Sequence, residues 1–242
     1  MTTTETRTVL AELAGVTKTY GTGETAVHAL RVVDLVLEAG QLVVVLGPSG
    51  SGKTTLLNVV GGIEPATGGA VVLGGYDLRG LPPRGLTEVR RRTVGFVFQY
   101  LNLVPTLTAR ENVQLVAELT GEPLGERVSV ALDAVGLTDR ADAFPAQLSL
   151  GQQQGVALAR ALVTGPRVLL ADEPTGSLDL EAGRAVLALL QQAARAEDRT
   201  VVVVTHNQAI AEAADRVLRM RSGEIVDDVA VASPRDAAEV SW

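Results

Sequence analysis

Residues 41–60 read QLVVVLGPSGSGKTTLLNVV, and no other stretch restricts the fold so strongly. The apolar, β-branched run QLVVVLG predicts a buried strand, and TTLLNVVGG behind it has helical character. Between them, GPSGSGKTT (residues 47–55) fits G-x-x-x-x-G-K-[ST] in the strand–loop–helix setting that gives this pattern meaning. Glycines let successive backbone N–H groups turn toward a phosphate, and the helix start adds the positive end of its dipole. Gly47, Pro48, Ser49, Gly50, Ser51, Gly52, Lys53, Thr54 and Thr55 are therefore candidate nucleotide ligands. Lys53 would reach the β- and γ-phosphates, and Thr54 would ligate Mg²⁺. Lysine occurs only at positions 18 and 53, against nineteen arginines. A lysine at 53 points to a site that needs a compact ammonium rather than a guanidinium fork, with sequence drift as the alternative.

A second strand exit carries acids. In RVLLADEP, four apolar residues deliver Asp172 and Glu173 to the end of a buried strand, where ligands bind in open α/β sheets. Asp172 can hold the Mg²⁺ shell and Glu173 can polarise an attacking water; taken alone, such a pair reads equally well as loop acids. His206 follows VVVVT at another strand end, as a γ-phosphate contact or a capping residue. Gln99 ends VGFVFQ, as a sensor of metal or water or as an ordinary surface glutamine. Tyr20 could stack on adenine or simply pack.

Composition excludes several classes. An apolar fraction of 46% with 20% charged residues belongs to a folded globule. The net charge of −7 argues against coating nucleic acid. The absence of cysteine removes disulfides and thiolate metal sites. The first residues lack the pattern of a signal peptide, and no apolar run approaches the roughly 20 residues of a membrane helix. A soluble chain is expected, with any membrane role exercised through a partner.

Along the chain, VLAELAGVTKTY and ALRVVDLVLEAG read as short strands around the turn GTGET, and GAVVLGGYDL as a further strand and turn. From about Ala109 the pattern turns helical, through ARENVQLVAELTG, ERVSVALDAVGL and LSLGQQQGVALARAL. RVLLAD and TVVVVTH return to strands, with the helix EAGRAVLALLQQAARA between them. This alternation predicts a mainly parallel α/β sheet with a helical insertion. The ends, residues 1–8 and 233–242, read as polar tails, the latter mobile.

Tyr20, GPSGSGKTT, Gln99, LSLGQ (148–152), VLLADE (168–173), SLD (177–179) and His206 follow one another in an order that resembles the nucleotide-binding subunit of ABC transporters over nearly the whole chain. The resemblance implies an α/β P-loop NTPase with a RecA-like core, an antiparallel β subdomain and a helical subdomain at about 100–165, within a domain spanning 9–232. It implies ATP and Mg²⁺ as ligands, with Gln99 beside the metal. It also implies a head-to-tail dimer in which Ser149, Gly151 and Gln152 of one subunit, and Asp179 of its D-loop, meet the ATP on the other's P-loop. NLVPTLTARENV and DEPTGSLD are most similar to the lipoprotein-release and macrolide-exporter branch, which includes the cell-division ATPase. The implied partners are an FtsX/MacB-like integral membrane permease, reached through the loop after Gln99 and the helical subdomain, and an identical or different ATPase subunit. The implied location is the cytoplasmic face of the membrane, with no nucleic acid bound. Two other readings remain: a soluble ABC-type ATPase acting on DNA or ribosomes, and a weakly hydrolysing regulatory or scaffolding subunit.

The signature departs from the family pattern LSGGQ. Leu150 stands at its first Gly, and Gly155 stands where a basic residue usually follows. A Cβ and its branches crowd a backbone that must approach a phosphate. The expectation is slow hydrolysis by the isolated chain, unless Leu150 points away from the nucleotide and packs on the helical subdomain.

Overall fold

The structure, a computed structural model, describes residues 8–119, 125–195 and 199–242. The chain opens with β1 (Val9–Tyr20) and β2 (Val27–Glu38), which pair antiparallel along twelve residues each, longer than the short strands expected. Gly21 and Gly23, both at positive φ, begin the turn between them. β3 (Gln41–Leu46) leads through the Gly-rich loop into α1 (Lys53–Val60). β4 (Gly68–Leu73) and β5 (Tyr76–Asp77) then extend the first sheet, whose order is β2-β1-β4-β5.

The next element, α2 (Pro83–Thr93), was not expected. PRGLTEVRRRT buries only Val89 and Thr93, so its apolar stripe is too narrow to stand out in the sequence, although Pro83 suits a first helical turn. β6 (Val94–Val97) follows and stops two residues before Gln99. α3 (Ala109–Leu119), α4 (Gly125–Ala134) and α5 (Leu150–Leu162) form the helical block. β7 (Val168–Asp172), α6 (Leu180–Arg195) and β8 (Thr200–Thr205) return to the alternating pattern. A hairpin of β9 (Arg216–Arg221) and β10 (Glu224–Ala230) ends the sheet; its many charges hid it from the sequence reading.

The second sheet has the order β10-β9-β3-β8-β7-β6, with neighbours parallel except for β10. β7 and β8 are buried along their whole length, and β3 is too after Gln41, as strands covered on both faces must be. Their period of two divides the core. Val43, Val45, Leu170, Val202 and Val204 face α1 and the antiparallel sheet. Leu42, Val44, Leu46, Leu169, Val201 and Val203 face α5 and α6. A third core joins α3, α4 and α5 through Val113, Val128, Leu132 and Val156. α5 is shared, giving Val156 and Ala159, with Val163 just after it, to that core and Leu158 and Ala161 to the sheet. Fold and layers are those of a P-loop NTPase with an antiparallel β part and a helical part. Among the described residues no helix is long and apolar enough to cross a membrane.

The chain ends need revision. Residues 1–7 of the expected N-terminal tail lie outside the described residues, and Thr8 already accepts a hydrogen bond from Ala39. The segment 233–242, expected as a mobile polar tail, is docked. Ala237 and Val240 are fully buried against α6, and the Gln191 amide donates to Arg235 and accepts from Ala237. Trp242 covers Gly183, where any Cβ would collide with the indole. Small apolar residues three apart and a buried glutamine do this, and neither stands out within ASPRDAAEVSW.

Candidate functional site

The loop after β3 is held in shape from outside. Gly50 (φ 75°) and Gly52 (φ 100°) take left-handed conformations in which a side chain would be strained. A Cβ on Gly47 would lie 2.5 Å from the Met220 carbonyl oxygen, and one on Gly52 would strike that of Ala29. Gly223, in the β9–β10 turn, donates to the Ser51 carbonyl (2.9 Å) and accepts from Arg31 of β2 (2.8 Å). Lys53 is nearly buried and folds back over its own loop, donating to the carbonyls of Gly47 (2.7 Å) and Pro48 (3.0 Å). The Ser51 hydroxyl is buried without a hydrogen-bond partner among the described residues.

The acids arrive from β7, whose end lies beside that of β8. Asp172 is 8% exposed, and burial raises its carboxyl above the usual range. Thr54's hydroxyl and Lys53's charge pull it down, while Glu173 pushes it up. Glu173 sits at φ 46°, a cost for a non-glycine residue, and its side chain turns toward β8. One carboxylate oxygen accepts from Thr205 (2.8 Å); the other accepts from the His206 N–H (3.0 Å) and lies 2.9 Å from His206 Nδ1.

Gly50, Gly52, Lys53, Thr54, Asp172, Glu173 and His206 line one cleft of about 810 Å³, together with Gln99, Thr55, Ser49 and Tyr20. Tyr20 is fixed: its hydroxyl donates to Glu64 (2.6 Å), which Asn58 and Lys18 also hold. Burial and the Glu64 hydrogen bond raise its pKa. The Lys18 ammonium lies over the ring, 4.9 Å from its centroid.

Seven candidates are not among the residues lining this cleft: Gly47, Pro48 and Ser51, which belong to the P-loop itself, and Ser149, Gly151, Gln152 and Asp179, which lie elsewhere. Ser149 caps α5, accepting from the Gln152 N–H (3.2 Å) while the Gln152 side chain accepts from the Ser149 N–H (2.9 Å). Asp179 caps α6 through Ala182 (2.9 Å). A Cβ on Gly151 would lie 3.0 Å from Ala182, so the two helix starts touch. Leu150 is 45% exposed and belongs to none of the three cores, so packing on the helical subdomain does not account for it. Gly155 is buried, facing Leu137 and Val135.

The family model described as ABC transporter matches residues 30–176 of this chain. The chain belongs to the ABC transporter family. Its fold is similar to the dimeric ATP-binding cassette MJ0796, solved in a post-hydrolysis state bound to ADP and Pi. The TM-score is 0.85 and the identity 39%, over 93% of this chain and all of that one. The macrolide export ATP-binding/permease protein MacB of Brucella melitensis is 46% identical over 222 residues, 90% of this chain and 34% of that protein. The pyoverdine export ATP-binding/permease protein PvdT of Pseudomonas fluorescens is 40% identical, covering 94% and 35%. The chain thus spans about a third of the length of these relatives.

Seven lining residues of this ABC family chain were not among the candidates. Val27, His28, Ala29 and Arg31 come from β2, Gly176 and Ser177 from the loop before α6, and Ser222 from the β9–β10 turn. The two histidines of the chain, His28 and His206, both border the cleft, and His28 Nδ1 lies 3.0 Å from the Thr19 hydroxyl. Only the rarity of histidine could have drawn attention to position 28.

Proposed function

We propose that this chain binds ATP with Mg²⁺ in the cleft and hydrolyses it as half of a head-to-tail dimer that drives an FtsX/MacB-like permease. One observation carries the reading: the P-loop and both acids line one cleft, while the capped start of α5 lies outside it, engaged with its own capping box and the start of α6. Lys53 neutralises the β- and γ-phosphates once it leaves its loop carbonyls. The Thr54 hydroxyl lies beside Asp172 and lowers its carboxyl, and with Gln99 the two form a hard-oxygen set that suits Mg²⁺. When bound, the ion neutralises phosphate charge. Glu173 accepts the proton of the attacking water, and His206, in contact with its carboxylate, fixes that carboxylate's direction and faces the γ-phosphate.

Ser149, Gly151 and Gln152 of the second subunit contribute their helix start to the same γ-phosphate, and Asp179 borders that junction. The second subunit is identical or a related cassette. The assembly sits at the cytoplasmic face of the membrane through its permease and binds no nucleic acid. Exposed Leu150 at the first position of α5 favours a second reading, a slow ATPase that needs its permease or a partner with an intact signature.

Lys53→Ala tests the binding step. Losing the ammonium's charge-assisted bonds should weaken nucleotide binding by at least about 100-fold. Wild-type affinity in a titration with a fluorescent ATP analogue would remove Lys53 from the site.

A further inference from the structure

Arg160 is a half-buried cation whose guanidinium meets carbonyls rather than an acid. It projects from α5, and its guanidinium donates to the main-chain carbonyls of Asn102 (2.6 Å) and Leu101 (2.5 Å). Among the described residues no carboxylate lies within ion-pair distance, and burial lowers its pKa. A charge partly withdrawn from water and paired only with carbonyls gives up some hydration, so its geometry needs a reason. Those carbonyls belong to the second and third residues after Gln99, and Asn102 holds a left-handed φ of 51°.

The same loop is held from the other side. Asn112 of α3 is 1% exposed and spends its side chain on the loop backbone. It accepts from the Val104 N–H (2.7 Å) and donates to the carbonyls of Val104 (3.1 Å), Leu107 (3.0 Å) and Thr108 (2.9 Å). Beneath it, α5 lies directly on β6, because Gly95 leaves no Cβ where the Ala161 carbonyl approaches. The path from Gln99 to α5 is therefore packed, and α5 is one rod, with Arg160 near its C-terminal end and the Ser149 cap about 16 Å away at the other.

We propose that Arg160 is a positioning residue that ties the Gln99 side of the nucleotide cleft to α5, so that cleft occupancy and the direction of the Ser149 cap change together. This rests on the reading that the cap serves a second subunit's nucleotide. Arg160 touches no ligand itself.

The test compares Arg160→Met and Arg160→Lys with Gln191→Leu in the full chain. Gln191 also holds a backbone segment with a buried side chain, remote from the cleft, so it matches the structural damage. Affinity for a fluorescent ATP analogue, measured on dilute monomer, should stay within about twofold for all three. ATP-driven dimerisation, read by light scattering in the Glu173→Gln background, and turnover should fall at least tenfold for Arg160→Met. They should recover in part for Arg160→Lys, which keeps the charge without the fork, and stay near wild type for Gln191→Leu. If Arg160→Met does not fold, Arg160→Lys alone decides. Wild-type dimerisation and turnover in the arginine variants would overturn the proposal, as would a matching loss of nucleotide affinity. A wild-type chain that binds ATP but never dimerises would instead refute the two-subunit reading, and this proposal with it.

Discussion

Replacing Glu173 by Gln keeps the shape of the side chain and removes its charge, and the structure sets the cost. The carboxylate accepts from the Thr205 hydroxyl, the His206 N–H and the His206 ring. An amide can keep both His206 contacts on its oxygen, but its NH₂ must then donate to Thr205. That hydroxyl oxygen already accepts from the Asn207 N–H at 3.0 Å, and its own proton loses its acceptor. Exchanging charge-assisted bonds for neutral ones forfeits about 1 kcal/mol each, so roughly 2–3 kcal/mol in all. Removing the acid beside buried Asp172, whose carboxyl Glu173 pushes up, returns part of this. The net loss of about 1–2 kcal/mol should lower the melting temperature of the nucleotide-free protein by roughly 2–8 °C.

With ATP the order should invert. Turnover should fall about 10²–10⁴-fold for want of the base. Uncleaved ATP at 100 times its Kd then stabilises the variant by about 2.7 kcal/mol. Scanning fluorimetry with and without Mg·ATP, phosphate release and light scattering follow the three quantities. A variant that turns over normally and stays monomeric with ATP would remove Glu173 from catalysis.

Asp172→Asn tests the cleft's electrostatics. Because burial holds the folded carboxyl above its unfolded value, charged Asp172 costs stability at neutral pH, and that cost vanishes as pH falls through the folded pKa. The nucleotide-free variant should therefore melt higher than wild type at neutral pH, and the gap should close toward the carboxylate range; a gap independent of pH would contradict this. Leu150→Gly removes a half-exposed side chain from α5, so it should cost no more than about 1 kcal/mol of stability while raising turnover several-fold. Gly155→Arg should instead lower the melting temperature, since its Cβ would lie 3.2 Å from Leu137 Cδ1 in the helical core. Unchanged turnover in Leu150→Gly would clear Leu150 of blocking the signature. Tyr20→Ala should weaken ATP binding about tenfold through lost stacking, whereas Tyr20→Phe, which loses only the Glu64 hydrogen bond, should bind within threefold. Equal losses would place the binding energy in the hydroxyl.

Sequence alone determined the elements whose chemistry is local. QLVVVL and TVVVVT announce central strands because a strand covered on both faces must be apolar throughout, and GPSGSGKTT announces its loop because few other residues let a backbone turn its amides inward. Asp172 and Glu173 were legible as candidates because they end such a strand. What the tertiary structure decided are contacts between residues far apart in the chain. Glu173 meets His206 because β7 and β8 lie side by side in parallel register, an adjacency that neither strand's composition encodes. Arg160 reads as an ordinary helix-surface charge until the loop after Gln99 folds over it. The docked C-terminal segment, α2 and the β9–β10 hairpin stayed hidden for the same reason. Each buries a few side chains of a mostly polar stretch, and which ones it buries depends on a surface that exists only after the rest has folded.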